Sequence, residues 1–378
     1  MSTTHVFIVD DTTFKIHLEY MFAGTGGNNT DMSFLTNLSE PMHYARENNV
    51  MAMIADAHRI RENDNIIFYL QQTNKHEGRF FGIFKAVHNF SFLENHGSYL
   101  YEQLQKRLTF RTLIKPYKVY QEGITEWNLL DNISHIDTPD KMFWSLIYRK
   151  LKGNRGNTMI TLYEAKQFES LLPLVPGNRI LEARAFSFDE DTCKIIPSEI
   201  KPYLSGRVSM NVFLRMKNKY DCRKAYEYHL QAYIVKNIDR KDDLRRIILD
   251  NKNLEWLGNE VSCGVGMQRI DIVCAYTKDD KRVVVPIELK AVEVYPNIVK
   301  QIKRYVDWIK LYYQSNNEVR HIQPVVIAPE CINKNSENYV EFIQKVQEFN
   351  QQEDVLPIKY IEFFIDNDIH FNNVDYQN

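Results

Sequence analysis

Apolar and polar positions alternate with two different periods along this chain. Short apolar runs bounded by polar residues predict strands at Thr4–Val9, Asp64–Gln71, Gly78–Val87 and Leu108–Tyr120. Arg46–Ile60 instead carries Val50, Met53, Ile54, Ala57 and Ile60 on one helical face. Phe14–Phe22 suits either a helix or a second strand, and Gly24–Asn29 predicts a turn or flexible loop. Asp140–Leu151 and Thr161–Leu172 read as helices, the latter halted by Pro173. Pro176–Pro202 has the look of a junction, with an acidic patch at Asp189–Asp191 and a hairpin from Ile180–Phe188 to Cys193–Ile196. Beyond it the pattern predicts helices at Asp221–Asn237, Lys241–Asp250, Asn297–Tyr313 and Asn338–Phe349. Strands are expected at Trp256–Ser262, Arg269–Tyr276, Arg282–Lys290, Gln323–Ala328 and Ile358–Ile365. A strand meander followed by a crossover helix and a further strand implies an α/β sandwich around a mixed sheet. The Asn-rich tail, Asp366–Asn378, is expected to fray. The division that follows is 1–175, a bridging segment 176–220, and 221–378.

Chemistry concentrates between Gly258 and Leu311. Arg269-Ile270-Asp271 closes one strand, and Val283-Val284-Val285-Pro286-Ile287 leads into Glu288-Leu289-Lys290 at the end of another. Side chains alternate along a strand, so Glu288 and Lys290 share a face while Ile287 and Leu289 take the other. Two carboxylates and a lysine are the groups that metal-assisted phosphodiester hydrolysis uses. A magnesium ion takes one or two carboxylates plus water and substrate oxygens, and a lysine ammonium stabilises charge at the phosphate. On that reading Asp271 and Glu288 hold the metal, the Leu289 carbonyl can add a ligand, and Lys290 faces the scissile phosphate. The plainer reading makes all three ordinary exposed strand residues. The ordered set favours the first, because the following helix presents Gln301 and Tyr305 four apart on one face.

The wording G-x-x-R-I-D, V-V-x-x-E-L-K and Q-x-x-x-Y resembles the PD-(D/E)XK nuclease superfamily, most of all the branch with the archaeal NucS mismatch endonucleases and related restriction-type enzymes. The resemblance covers about Cys222 to Ile365. It implies Asp271 and Glu288 as metal ligands, Lys290 as the catalytic lysine, and Gln301 with Tyr305 as a supporting pair. It also implies an early helical glutamate, for which Glu227 in Ala225-Tyr226-Glu227-Tyr228-His229-Leu230 and Glu260 on the preceding strand compete. In the first half, D-x-I-I-F-Y-L followed by G-I-F-K-A-V resembles the PUA-like superfamily of small β-barrels, in particular its EVE and YTH-type members. That resemblance implies a base-reading barrel. Phe68, Tyr69, Trp127 and Trp144 could then line a base pocket by stacking. Against this, Phe68 and Tyr69 point to opposite faces, so one belongs to the core, and Trp144 in Met142-Phe143-Trp144 suits packing.

The 378 residues, 44% hydrophobic and 25% charged, have the composition of an ordinary soluble globular protein. A net charge of −2 excludes a uniformly basic polyelectrolyte binder. Local charge is more informative. Lys201, Arg207, Arg215, Lys217, Lys219, Arg223 and Lys224 face one acid, Asp221, with Tyr203, Phe213 and Tyr220 interleaved, as a phosphate-tracking surface would have them. A solvated helix face is the alternative. Lys300, Lys303, Arg304 and Lys310 form a second basic set on the helix after the candidate site. The five cysteines lack any C-x-x-C, so neither a zinc knuckle nor a disulfide framework is indicated, and a reduced cytoplasm is expected. No opening segment has signal-peptide character.

Other chemistries lack their signatures. There is no H-E-x-x-H, no P-C-x-x-C to accompany His17-Leu18-Glu19, and no G-x-S-x-G. The two resemblances imply a PUA-like β-barrel-type α/β domain ahead of a restriction-endonuclease-like α/β sandwich. The expected activity is Mg²⁺-dependent cleavage of DNA, with Mn²⁺ as substitute, cued by a modified base and carried out by a homodimer. Mismatch- or structure-specific cleavage, a non-catalytic nucleic-acid-binding protein and an RNA nuclease are the alternatives.

Overall fold

The computed structural model describes residues 2–26, 44–89, 91–94, 99–131, 138, 141–147, 156–204, 207–263, 268–312 and 320–376. Packing divides the chain into two compact units. One joins Met1–Met32 with Asp56–Met210, and the other joins Ser33–Ala55 with Asn211–Asn378. The 176–220 segment is thus shared, through Met210 with the first unit and from Asn211 with the second. Both units are α/β.

In the first unit a mixed nine-stranded sheet curls into a half-barrel. Thr4–Val9 runs parallel to Asn65–Leu70 and antiparallel to Asn157–Ile160. Asn65–Leu70 continues into Arg79–Ala86, which pairs with Phe110–Pro116. The uninterrupted apolar run Ile66-Ile67-Phe68 has a cause in this arrangement, because both faces of the strand are covered. Ile66, Phe68 and Leu70 enter one core cluster with Phe14 and Phe84, while Ile67 enters another with Val6, Phe80 and Phe168.

Several expectations change here. The ambiguous Phe14–Phe22 stretch resolves into a helix, Asp11–Glu19, and a strand, Phe22–Thr25. Asp10 caps the helix, accepting from Thr13 N–H at 2.8 Å, while the Thr13 hydroxyl answers the Asp10 N–H. Gly24, expected in a turn, lies in that strand opposite Arg111, and Gly27 to Asn29 fall outside the described residues. Part of the Asp140–Leu151 helix also lies outside them. The hairpin Ala185–Asp189 and Lys194–Ser198 packs Phe186, Phe188 and Ile195 into the first core rather than bridging.

The second unit is built on a seven-stranded sheet. Leu254–Ser262, Arg269–Lys278 and Lys281–Leu289 form an antiparallel meander. Val325–Pro329 then joins Lys281–Leu289 in parallel, and Lys359–Ile365 joins Val325–Pro329 likewise. The helices Asn297–Tyr312 and Glu337–Gln352 make the two crossovers. The expected helix Asp221–Asn237 is two helices, Phe213–Asp221 and Glu227–Asn237. The break falls where Arg223 adopts a left-handed φ of 52°. The tail expected to fray instead adds a strand, Ile369–Asn373, because Ile369 and Phe371 alternate onto the buried face beside Phe363.

Candidate active site

The meander register brings the candidate residues together. Ile272 pairs with Ile287 in antiparallel alignment, so the next position sets Asp271 against Glu288 on the same face. Asp271 Oδ2 accepts from the Leu289 N–H at 2.8 Å. Glu288 is 2% exposed and receives Lys290 Nζ on Oε1 and Tyr305 Oη on Oε2, the latter at 2.6 Å. Tyr305 lies on the Asn297–Tyr312 helix and also reaches the Arg269 carbonyl at 3.2 Å. Gln301, one turn earlier, has its amide oxygen buried without a hydrogen-bond partner.

A third acid approaches from the Glu227–Asn237 helix. Burial raises the Glu227 carboxyl above its ordinary range, the Lys290 ammonium opposes that, and the Glu288 charge adds to it. Glu227 also accepts from the Ala291 N–H. Glu260 has a different role, held by Arg269 and by Gln231 at 3.1 Å, with a left-handed φ of 51°. Burial, followed by Glu288, pushes Asp271 well above the usual carboxylate range. Lys290 moves up because its attraction to Glu288 outweighs the cost of burying it. The Lys290 ammonium thus lies in the field of Glu288, Asp271 and Glu227.

Among the described residues no three His, Cys, Asp or Glu side chains stand close enough to hold a metal ion unaided. Magnesium does not require three, since one or two carboxylates usually suffice beside water and substrate oxygens. The half-buried Asp271 and the buried Glu288 offer that donor set, so the residues fit a hard divalent cation.

The expected nucleic-acid contacts fare unevenly. Arg215 and Lys219 are not surface residues. Arg215 donates to both oxygens of Glu47, at 3.0 and 3.1 Å, while Lys219 lies 3.2 Å from the same carboxylate and His229 2.8 Å. Burying two cations requires a counter-charge, and Glu47, 2% exposed, provides it. Lys201 pairs with Glu19, Lys217 with Asp221, and Lys303 with Glu353 and Asp307. Arg223, Lys224, Lys300 and Arg304 are exposed, and Arg207 lies in the short strand Arg207–Val208.

The aromatics expected to line a base pocket are placed differently from one another. Phe68 is 0% exposed, enclosed by Phe7, Phe14, His17 and Phe84. Tyr69 points the other way, its hydroxyl donating to Glu126 at 2.8 Å. Trp127 is 63% exposed and Trp144 half-buried. The first unit instead has an aromatic cavity of about 580 Å³ lined by Tyr20, Tyr99, Tyr101, Lys201 and Pro202 among others. Tyr20 and Lys201 are far in sequence from Tyr99 and Tyr101, so no local pattern joins them. Gln231 was also missed, although its place four residues after Glu227 put it on the same helical face.

No family model matches the chain, and no curated protein matches it significantly. Among solved structures, the chain is similar to human THYN1 protein, solved in complex with 5-methylcytosine-containing DNA. That match has 9% identity and a TM-score of 0.27, covering 45% of this chain and 97% of that one. No helix among the described residues is long and apolar enough to cross a membrane.

Proposed function

We propose that the chain is a metal-dependent endonuclease of the PD-(D/E)XK kind, hydrolysing DNA in its second unit and taking its cue from a modified base through its first. The observation that carries this reading is the convergence of Asp271, Glu288 and Lys290 at one strand end, with Tyr305 fixing Glu288. Asp271 and Glu288 would hold the cation, with Glu227 better placed than Glu260 to assist, since Glu260 is engaged by Arg269. The bound cation supplies an acidified water and offsets charge on the phosphate. Lys290, beside Glu288 at the same strand end, would offer its ammonium to the phosphate oxygens as charge builds on them. Tyr305 keeps Glu288 in one orientation throughout. Cutting both strands needs two such sites, which two copies of the chain would bring.

The test uses matched plasmids, unmodified or carrying methylated or hydroxymethylated cytosine, with Mg²⁺ or Mn²⁺ and a Lys290→Ala control. Cutting of modified DNA alone, lost in the control, is the expected result. Equal metal-dependent cutting of both would keep the hydrolase and discard the cue. Cutting of neither, by protein that binds both, would refute the proposal.

A further inference from the structure

Gln231 stands one helical turn after Glu227 and is 3% exposed. Its Nε2 donates to the Asp271 main-chain carbonyl at 2.9 Å and to Glu260 Oε1 at 3.1 Å. Both partners are acceptors, so the two ends of the amide cannot exchange: reversed, Oε1 would confront two oxygens. The donors fix which way the side chain lies. Oε1 is therefore left buried, and it has no hydrogen-bond partner. An unmet buried acceptor costs about 1–3 kcal/mol, which a bound water or hydrated ion beside it would relieve. A second amide oxygen in the same condition, Gln301 Oε1, belongs to the Asn297–Tyr312 helix, one turn before Tyr305.

We infer that Gln231 is a positioning residue of a hydrated divalent-cation site. Its amide nitrogen fixes the strand end that carries Asp271, and its amide oxygen accepts an O–H from water on the cation that Asp271 and Glu288 hold. The inference rests on reading that acid pair as a cation site. Outer groups of this kind orient ligands and water, and losing one costs about 10–100-fold in metal affinity. The two ends of the amide thus have separable tasks, the donor end for the fold and the acceptor end for the cation.

The experiment is calorimetric titration of the full chain with Mn²⁺, without DNA, alongside thermal melting in EDTA. Gln231→Met removes both ends and is expected to bind Mn²⁺ at least tenfold more weakly. Gln231→Glu keeps an oxygen but loses the donor. It is expected to melt lower than wild type while holding Mn²⁺ as tightly or more so. Unchanged affinity in Gln231→Met, or a tenfold loss in Gln231→Glu, overturns the assignment. Should Gln231→Met fail to fold, the affinity of Gln231→Glu decides alone. Asp271→Asn separates the two levels of the argument. If it binds Mn²⁺ as wild type does, the cation-site reading itself fails, whatever the Gln231 variants do.

Discussion

Replacing Arg215 with alanine separates a buried ion pair from a DNA contact. Arg215 and Glu47 have side chains 8% and 2% exposed, joined by hydrogen bonds of 3.0 and 3.1 Å. Removing one partner of a buried pair costs about 3–5 kcal/mol, because the remaining charge stays desolvated. Lys219 and His229 remain on Glu47, which puts the expected loss near the lower figure, about 3 kcal/mol. Urea unfolding followed by the fluorescence of the buried Trp256 and Trp308 measures it in the unit concerned. Lys217→Ala, which removes an exposed i,i+4 pair with Asp221, should change stability by less than about 0.5 kcal/mol. The pH dependence adds a second reading. Burial alone would raise Glu47, but its bonds to His229 and Arg215 hold it below the ordinary range. Its stabilisation is therefore complete above the unfolded value of about 4.3 and lost as pH falls toward the lower folded value. The gap between wild type and Arg215→Ala should accordingly narrow below about pH 4. An unaltered urea midpoint, together with a DNA-binding salt slope reduced by about one, would refute this and restore Arg215 as a phosphate contact.

Two further outcomes are expected. Asp271 has a raised folded-state pKa, so the native state binds its proton more tightly than the unfolded chain. The metal-free protein should therefore lose stability as pH rises above the unfolded value of about 3.9. Asp271→Asn should melt higher than wild type in EDTA at about pH 7, with the difference vanishing below about pH 4. Added Mg²⁺ should stabilise wild type alone, and a variant that melts lower in EDTA would contradict the burial argument. Phe68→Ala should cost about 3–5 kcal/mol by leaving a cavity among Phe7, Phe14 and Phe84. A loss of modified-DNA binding with unchanged stability would instead return Phe68 to a pocket.

Period and punctuation made much of the fold legible. Strands buried on both faces appear as unbroken apolar runs at Ile66–Phe68 and Val283–Ile287. The meander that sets Asp271 against Glu288 was readable because its strands are contiguous and its charged turn is short. What escaped notice depended on contacts distant in sequence. Arg215 and Lys219 look like a solvated basic face until Glu47, 168 positions away from Arg215, is placed beneath them. Phe68 and Tyr69 could not be assigned to core or pocket from alternation alone, since alternation gives opposite faces without saying what covers each. The tail shows the same limit, as its alternating Ile369 and Phe371 acquire meaning only from the Lys359–Ile365 strand beside them.

The sequence by itself determined the α/β class, most strand and helix positions, and the acid, acid and lysine set, because each depends on residue type and on spacing within one or two adjacent elements. Tertiary structure alone decided which charges are buried, which aromatics are core, and that Gln231 secures Asp271 while its amide oxygen is left unmet. Those outcomes follow from desolvation and hydrogen-bond pairing between segments far apart in the chain, and no local pattern encodes them.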